Sequence, residues 1–260
     1  MKKIKKNLNV IIKVIITIFY NMLTLVRNKK TAKQLLLYTD SRGTEINSYV
    51  KQNNPFYSYL KLFDDYKADY QFCKHKFTSI LDFIEYLEKT KLDYDLLILQ
   101  CGIVDFAPRP LSSYNEMLSM KSDFLDEKGW LHYFEKRTDF LCEYEEEKTL
   151  QFMSLDFLEN EIIPILSKIE NLIYVGINPV LNDWDGNYWR KRPTCINKQL
   201  HHDNALKGNV KFSIDLSNWS EVDIKKYSVD NVHYNMLGLE YIGKKILSVV
   251  NSNEQFRSKQ

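Results

Sequence analysis

Three side chains in this 260-residue chain have the types and context to make a nucleophile and its base. Ser41 lies in Leu35–Gly43, LLLYTDSRG, where three leucines and a tyrosine read as a short buried strand that Thr39, Asp40, Ser41, Arg42 and Gly43 break abruptly. In an open α/β sheet, such a turn at the carboxyl end of a first strand projects a hydroxyl into the crevice where ligands bind. Taken alone, an Asp-Ser-Arg-Gly turn after a strand is usually only a turn or a helix cap. Far along the chain, Asp230-Asn231-Val232-His233 sets a carboxylate three residues before an imidazole. The carboxylate can orient one ring nitrogen while the other faces a serine, which is how a weak hydroxyl is activated. A lone DxxH is usually structural. Combined with Ser41 after a first strand and a glycine-containing loop after a third, it becomes selective.

The elements that must position these groups alternate. After the Ser41 strand, Phe56–Phe63 reads as a short helix, Tyr70–Cys73 as a second strand, and Ser79 caps a helix running to about Lys91. Leu96–Leu99 is a continuous apolar run typical of a parallel strand covered on both faces. It empties into Gln100–Pro110, where Gly102 and Asp105 sit at the strand end and two prolines flank Arg109. That loop reads as a crevice wall, or as a rigid connection whose arginine faces solvent. Residues 111–150 form an insertion, with a lid of helices as one reading that periodicity does not decide. A long amphipathic helix over Leu155–Ile169 follows despite Pro164, then a strand at Leu172–Ile177, a helical segment at Asn197–Leu206, a strand at Val210–Ile214 and a closing helix at Asn235–Val250. The polar residues 251–260 are expected to fray. The alternation predicts an α/β fold, a three-layer α/β/α sandwich on a five-stranded parallel sheet, within one domain over 31–250.

The formal charge of +2 is unevenly spread. Residues 1–30 carry eight Lys or Arg and no carboxylate, leaving 28 cations against 34 carboxylates, a balance of −6, in the other 230. The body therefore gives no support to nucleic-acid binding. Within 1–30, an apolar run from Val10 to Val26 is interrupted by Lys13, Thr17, Asn21 and Thr24, a narrow polar stripe on a helix. A helix lying on an anionic membrane surface fits this; a core or partner-packed helix and a signal or anchor are the other readings. Cys73, Cys101, Cys142 and Cys195 are widely spaced with no CxxC pair, which predicts free thiols and a reducing, cytoplasmic location, at the inner membrane face if the leader binds there. No Walker A loop, dinucleotide fingerprint or HExxH points to a cofactor or a metal. The stretch from Trp184 through Trp189, Arg190, Lys191 and Arg192 pairs flat rings with cations. Such a set suits sugar faces or an anionic group, and also ordinary protein interfaces.

On three blocks the chain resembles the SGNH, or GDSL-like, hydrolase family: Thr39-Asp40-Ser41-Arg42, Gly102-Ile103-Val104-Asp105 and Asp230-Asn231-Val232-His233, in order, over roughly 35–250. The resemblance implies a serine ester hydrolase in which Ser41 attacks the carbonyl, His233 transfers protons and Asp230 orients it. Two departures accompany it. The family's oxyanion asparagine falls on Val104, and no glycine matches in Cys73-Lys74-His75-Lys76, which leaves the Ser41 N–H, with Arg42 or Arg109 as substitutes. The GIVDFAPRP stretch also resembles divergent members associated with bacterial capsule and surface-polysaccharide synthesis, implying an acylated carbohydrate substrate. An O-acyltransferase shares the first half-reaction, and a non-catalytic glycan-binding protein would tolerate Val104.

Overall fold

A computed structural model describes residues 33–46, 54–90, 92–186 and 191–256, together with Ile15, Phe19 and Met22. Its strands in chain order are β1 Gln34–Thr39, β2 Lys67–Phe72, β3 Leu96–Gln100, β4 Arg109–Pro110, β5 Glu143–Tyr144, β6 Glu147–Leu150, β7 Leu172–Val175 and β8 Phe212–Ile214. Five of them form a parallel sheet in the order β2-β1-β3-β7-β8, so the strand carrying Ser41 lies inside the sheet. Alternate residues of these strands feed two apolar layers, as the period-two geometry of a strand requires. Leu36, Tyr38, Leu97 and Leu99 pack with Phe83, Met117 and Leu158 on one side; Leu35, Leu37, Leu96 and Ile98 pack with Leu239, Ile242 and Ile246 on the other. This is the three-layer α/β sandwich that the alternating elements predicted.

Each layer has a locally specified helix. Ser79 opens Ile80–Lys89 with a reciprocal capping box, its hydroxyl accepting from the Asp82 N–H while Asp82 Oδ2 accepts from the Ser79 N–H. Asn235 caps the closing helix Met236–Ser252 by accepting the Gly238 N–H at 3.0 Å. Leu239, Ile242, Ile246 and Val250 recur every three or four residues and are buried. Each contributes about 2 kcal/mol by leaving water.

Several expectations shift. The segment from Leu155 to Leu166 is helical, but Leu158–Ile162 widens into a π-helical stretch just ahead of Pro164. A proline cannot donate to the carbonyl four residues back, and a π-bulge absorbs that missing bond. Residues 111–150 hold one 17-residue helix, Leu111–Glu127, and the strands β5 and β6, which form an antiparallel sheet in the order β4-β6-β5 with Arg109–Pro110 just before them. The segment after Ser252 is not frayed through Phe256: that ring is buried 5.2 Å from Phe212, and its carbonyl accepts Lys33 Nζ. The expectation of four free thiols is also overturned. Cys142 and Cys195 form a disulfide, leaving Cys73 and Cys101 free, and the argument for a reducing compartment goes with it. The leader expectation over 1–30 lies mostly outside the described residues. Ile15, Phe19 and Met22 are helical and exposed, and no described helix is long and apolar enough to cross a membrane.

Candidate active site

The Ser41 turn is built by its neighbours. Thr39 ends β1, and Ser41–Gly43 makes one 3-10 turn capped by Asp40, whose Oδ1 accepts the Arg42 N–H at 2.9 Å. The Asp40 N–H continues the ladder to Gln100 O at the end of β3. Gln100 then closes the turn, its Nε2 donating to Arg42 O while Tyr59 donates to its Oε1. Gly43 is required by proximity, because a Cβ there would stand 2.0 Å from Thr39 Oγ1.

His233 reaches the same place from the other end of the chain. Its Nε2 lies 2.9 Å from Ser41 Oγ, and its Nδ1 lies 2.8 Å from Asp230 Oδ2. The three side chains therefore make one hydrogen-bonded line. Asp230 Oδ1 also accepts the N–H groups of Val232, at 3.1 Å, and His233, at 2.7 Å, so the carboxylate and imidazole are held in one tight turn. Burial acts to raise the Asp230 carboxyl; the hydrogen bond and charge of His233 and the charge of Arg192 outweigh it and hold the group below its ordinary value.

The loop after β7 clamps this turn. Asn231 sits at φ 71°, in the left-handed region that asparagine tolerates, with its side chain bonded to the backbone of Leu181 and Trp184. Asn178 Nδ2 donates to Asn231 O at 2.9 Å, and Tyr234 donates to Asn178 Oδ1. Gly186, at φ 64°, passes so close that a Cβ would stand 2.3 Å from Val229 O.

Other sequence candidates take different places. Arg42 is buried and is not an oxyanion donor: its guanidinium grips Asp40 at 2.9–3.1 Å and reaches Gly176 O. Burial disfavours its charge, and Asp40 more than offsets that. Asp105 is likewise buried, accepting the Ile80 N–H at 3.2 Å on both oxygens, so it anchors a helix start instead of facing substrate. Burial, with Asp82 and Asp40 adding, raises its carboxyl to about 7. Gly102 opens the helical turn Ile103–Phe106 at φ 126°, where a Cβ would meet Tyr174 Oη at 2.8 Å. Val104 offers no side-chain donor, but its carbonyl accepts Arg109 Nε at 3.0 Å. Cys73 follows β2 at φ 39°, a backbone that favours glycine, and its N–H is spent on Thr39 O. Trp184 packs partly against the core, while Trp189 and Arg190 lie outside the described residues.

Arg192, in sequence one cation of the aromatic loop, stands with its Nη2 3.4 Å from Asp230 Oδ2, and nothing in the local sequence ties it to a residue 38 positions away.

No family model matches this chain. No curated protein matches it either. Among solved structures, the lipase/acylhydrolase from Enterococcus faecalis aligns with a TM-score of 0.48 at 14% identity, over 85% of this chain and 96% of that one. A protein from Parabacteroides merdae described as a GDSL-like lipase gives 0.48 at 13% identity, over 86% and 98%. Likenesses this distant bear on neither activity nor substrate, and the chemistry available here follows from the geometry of Ser41, His233 and Asp230.

Proposed function

We propose that the protein is a serine ester hydrolase. The observation that carries this is the unbroken line Ser41 Oγ, His233, Asp230, with 2.9 and 2.8 Å between successive groups. Asp230 accepts from Nδ1–H and so leaves Nε2 with the lone pair that takes the Ser41 proton. Attack on the ester carbonyl gives a tetrahedral oxyanion, for which the Ser41 N–H, paired with no acceptor among the described residues, is the donor nearest the new bond. His233 returns the proton to the leaving alcohol, then activates water to release the acid.

The substrate in this reading is an acyl ester of a polar, hydroxylated compound, with an acylated glycan as the leading candidate. Support comes from Lys191 and Arg192, the cations at the end of the loop after β7, of which Arg192 reaches Asp230.

The test is labelling by an alkyl fluorophosphonate together with release of 4-nitrophenol from 4-nitrophenyl acetate. Label should map to Ser41 and vanish, with turnover, in Ser41→Ala. A folded Ser41→Ala protein that still turns over at the wild-type rate would end the serine mechanism.

A further inference from the structure

Next to the Asp230–His233 turn, and touching it at Val232, lies a cavity lined by Arg109, Lys191 and Arg192, by Ser113 and Tyr144, and by prolines and aliphatic residues. Among the described residues no carboxylate lines it. We propose that this cavity is a subsite for an anionic group, a carboxylate or a phosphate, carried by the substrate. The proposal rests on the ester hydrolase reading for the word substrate, and on the cavity itself for the ligand class.

Arg109 and Lys191, brought together from segments some 80 residues apart, repel one another, while the charge of Arg192 beside them is partly offset by Asp230, and among apolar walls water screens that repulsion poorly. An anion between them relieves it. Two of the three cations are already fixed in place. Arg109 is held by Nε on Val104 O at 3.0 Å and lies 5.6 Å over the Phe77 ring. Arg192 is held by Asp230 at 3.4 Å. A guanidinium fixed in this way gives up little rotamer freedom on meeting the forked oxygens of a carboxylate or phosphate. Lys191 is exposed at the mouth, with its backbone fastened by the Tyr144 hydroxyl, which donates to Lys191 O at 2.6 Å. Glu147, brought next to Ser113 by the fold, has both oxygens occupied by the N–H and hydroxyl of Ser112.

The walls are also joined covalently. Tyr144 follows Cys142 by two residues, and Arg192 precedes Cys195 by three, so the disulfide ties the β5 side of the cavity to its cationic side. The cavity meets the triad through Val232, whose side chain lines it and whose N–H donates to Asp230 Oδ1. An anion seated here would therefore tether its molecule next to the reacting centre.

Two measurements on the full-length protein test this. In the first, kcat/KM is compared for 4-acetoxybenzoate and its neutral methyl ester. The wild type should favour the anion, and the ratio should fall about tenfold or more in Lys191→Gln and in Arg109→Gln. A ratio near one in the wild type, or one unmoved by both substitutions, overturns the subsite. In the second, D-glucuronate, D-glucose 6-phosphate and D-glucose are titrated calorimetrically without any ester. Binding by the uronate identifies a carboxylate and binding by the phosphate ester a phosphate, in each case weakened by Lys191→Gln; binding by neither, or equally by glucose, overturns the proposal. Absence of turnover with variant-sensitive anion binding would remove the hydrolase reading alone.

Discussion

Arg192 Nη2 stands 3.4 Å from Asp230 Oδ2, the same oxygen that holds His233 Nδ1 at 2.8 Å. Asp230 thus receives four donors on two oxygens, two from its own turn on Oδ1 and two from side chains on Oδ2. Asp230→Asn can keep the turn through its remaining oxygen, but its amide then faces Nδ1 and forces the proton onto Nε2. Turnover of 4-nitrophenyl acetate should drop roughly 10⁴-fold, as when the triad carboxylate is neutralised in the trypsin-like case, while the circular dichroism spectrum stays unchanged.

Asp105 should give stability a pH dependence of its own. Its carboxyl is raised to about 7 by burial, against an unfolded value near 3.8, so between those limits the folded chain keeps a proton that the unfolded chain releases. Stability from this group is therefore fully present at the acid end and falls as pH rises to about 7, then levels off. Asp105→Asn does not titrate and should gain on the wild type across that window by on the order of a few kcal/mol. His202, buried and lowered to about 4, drives the opposite trend, but it does so in both proteins and cancels in the comparison. Urea denaturation of the pair at intervals from pH 4 to pH 8 reads the difference; parallel curves would refute it.

The Cys142–Cys195 bond spans 53 residues. Closing a loop of that length in the unfolded chain is worth about 4 kcal/mol in the chain-entropy account. Reductant should lower the denaturation midpoint of the wild type to that of Cys195→Ser and leave the variant where it was. Identical midpoints in all four samples would show that the bond contributes nothing.

The leader should carry the protein to anionic membranes. Ile15, Phe19 and Met22 are spaced four and three apart on a helix and are 58%, 56% and 61% exposed, within a segment of eight cations and no carboxylate. Full-length protein should sediment with vesicles containing phosphatidylglycerol and release as salt rises, while a chain lacking residues 1–30 stays in the supernatant. Equal binding by both would remove the interfacial role.

Strands β1, β3 and β7 were legible because each is a short apolar run between turn-forming residues, and Leu96–Leu99 needs no partner to be recognised as buried on both faces, whereas the polar start of β2, Lys67–Asp69, hid all but the end of that strand. Ser41 and His233 were legible for a similar reason, since each stands where such a pattern breaks. What the sequence concealed depends on which polar groups pair in three dimensions. Arg42 beside Ser41 reads as a site cation until Asp40 is seen to claim it, and Asp105 reads as a crevice carboxylate until the start of the Ile80–Lys89 helix is seen to need it. The disulfide was missed because spacing rules detect close cysteine pairs, whereas these two meet only after the hairpin of β5 and β6 folds against the loop before Gln199–Lys207.

Ser41 and His233 are 192 residues apart in the chain and 2.9 Å apart in space. In the ester hydrolase reading the nucleophile therefore emerges during synthesis long before its base, and a polypeptide stopped short of residue 233 can lay down β1 with an unactivated serine at its end. Products that lack His233 carry no general base in that reading, so the chain's own length acts as a timer that withholds reactivity until all five strands of the parallel sheet have been made.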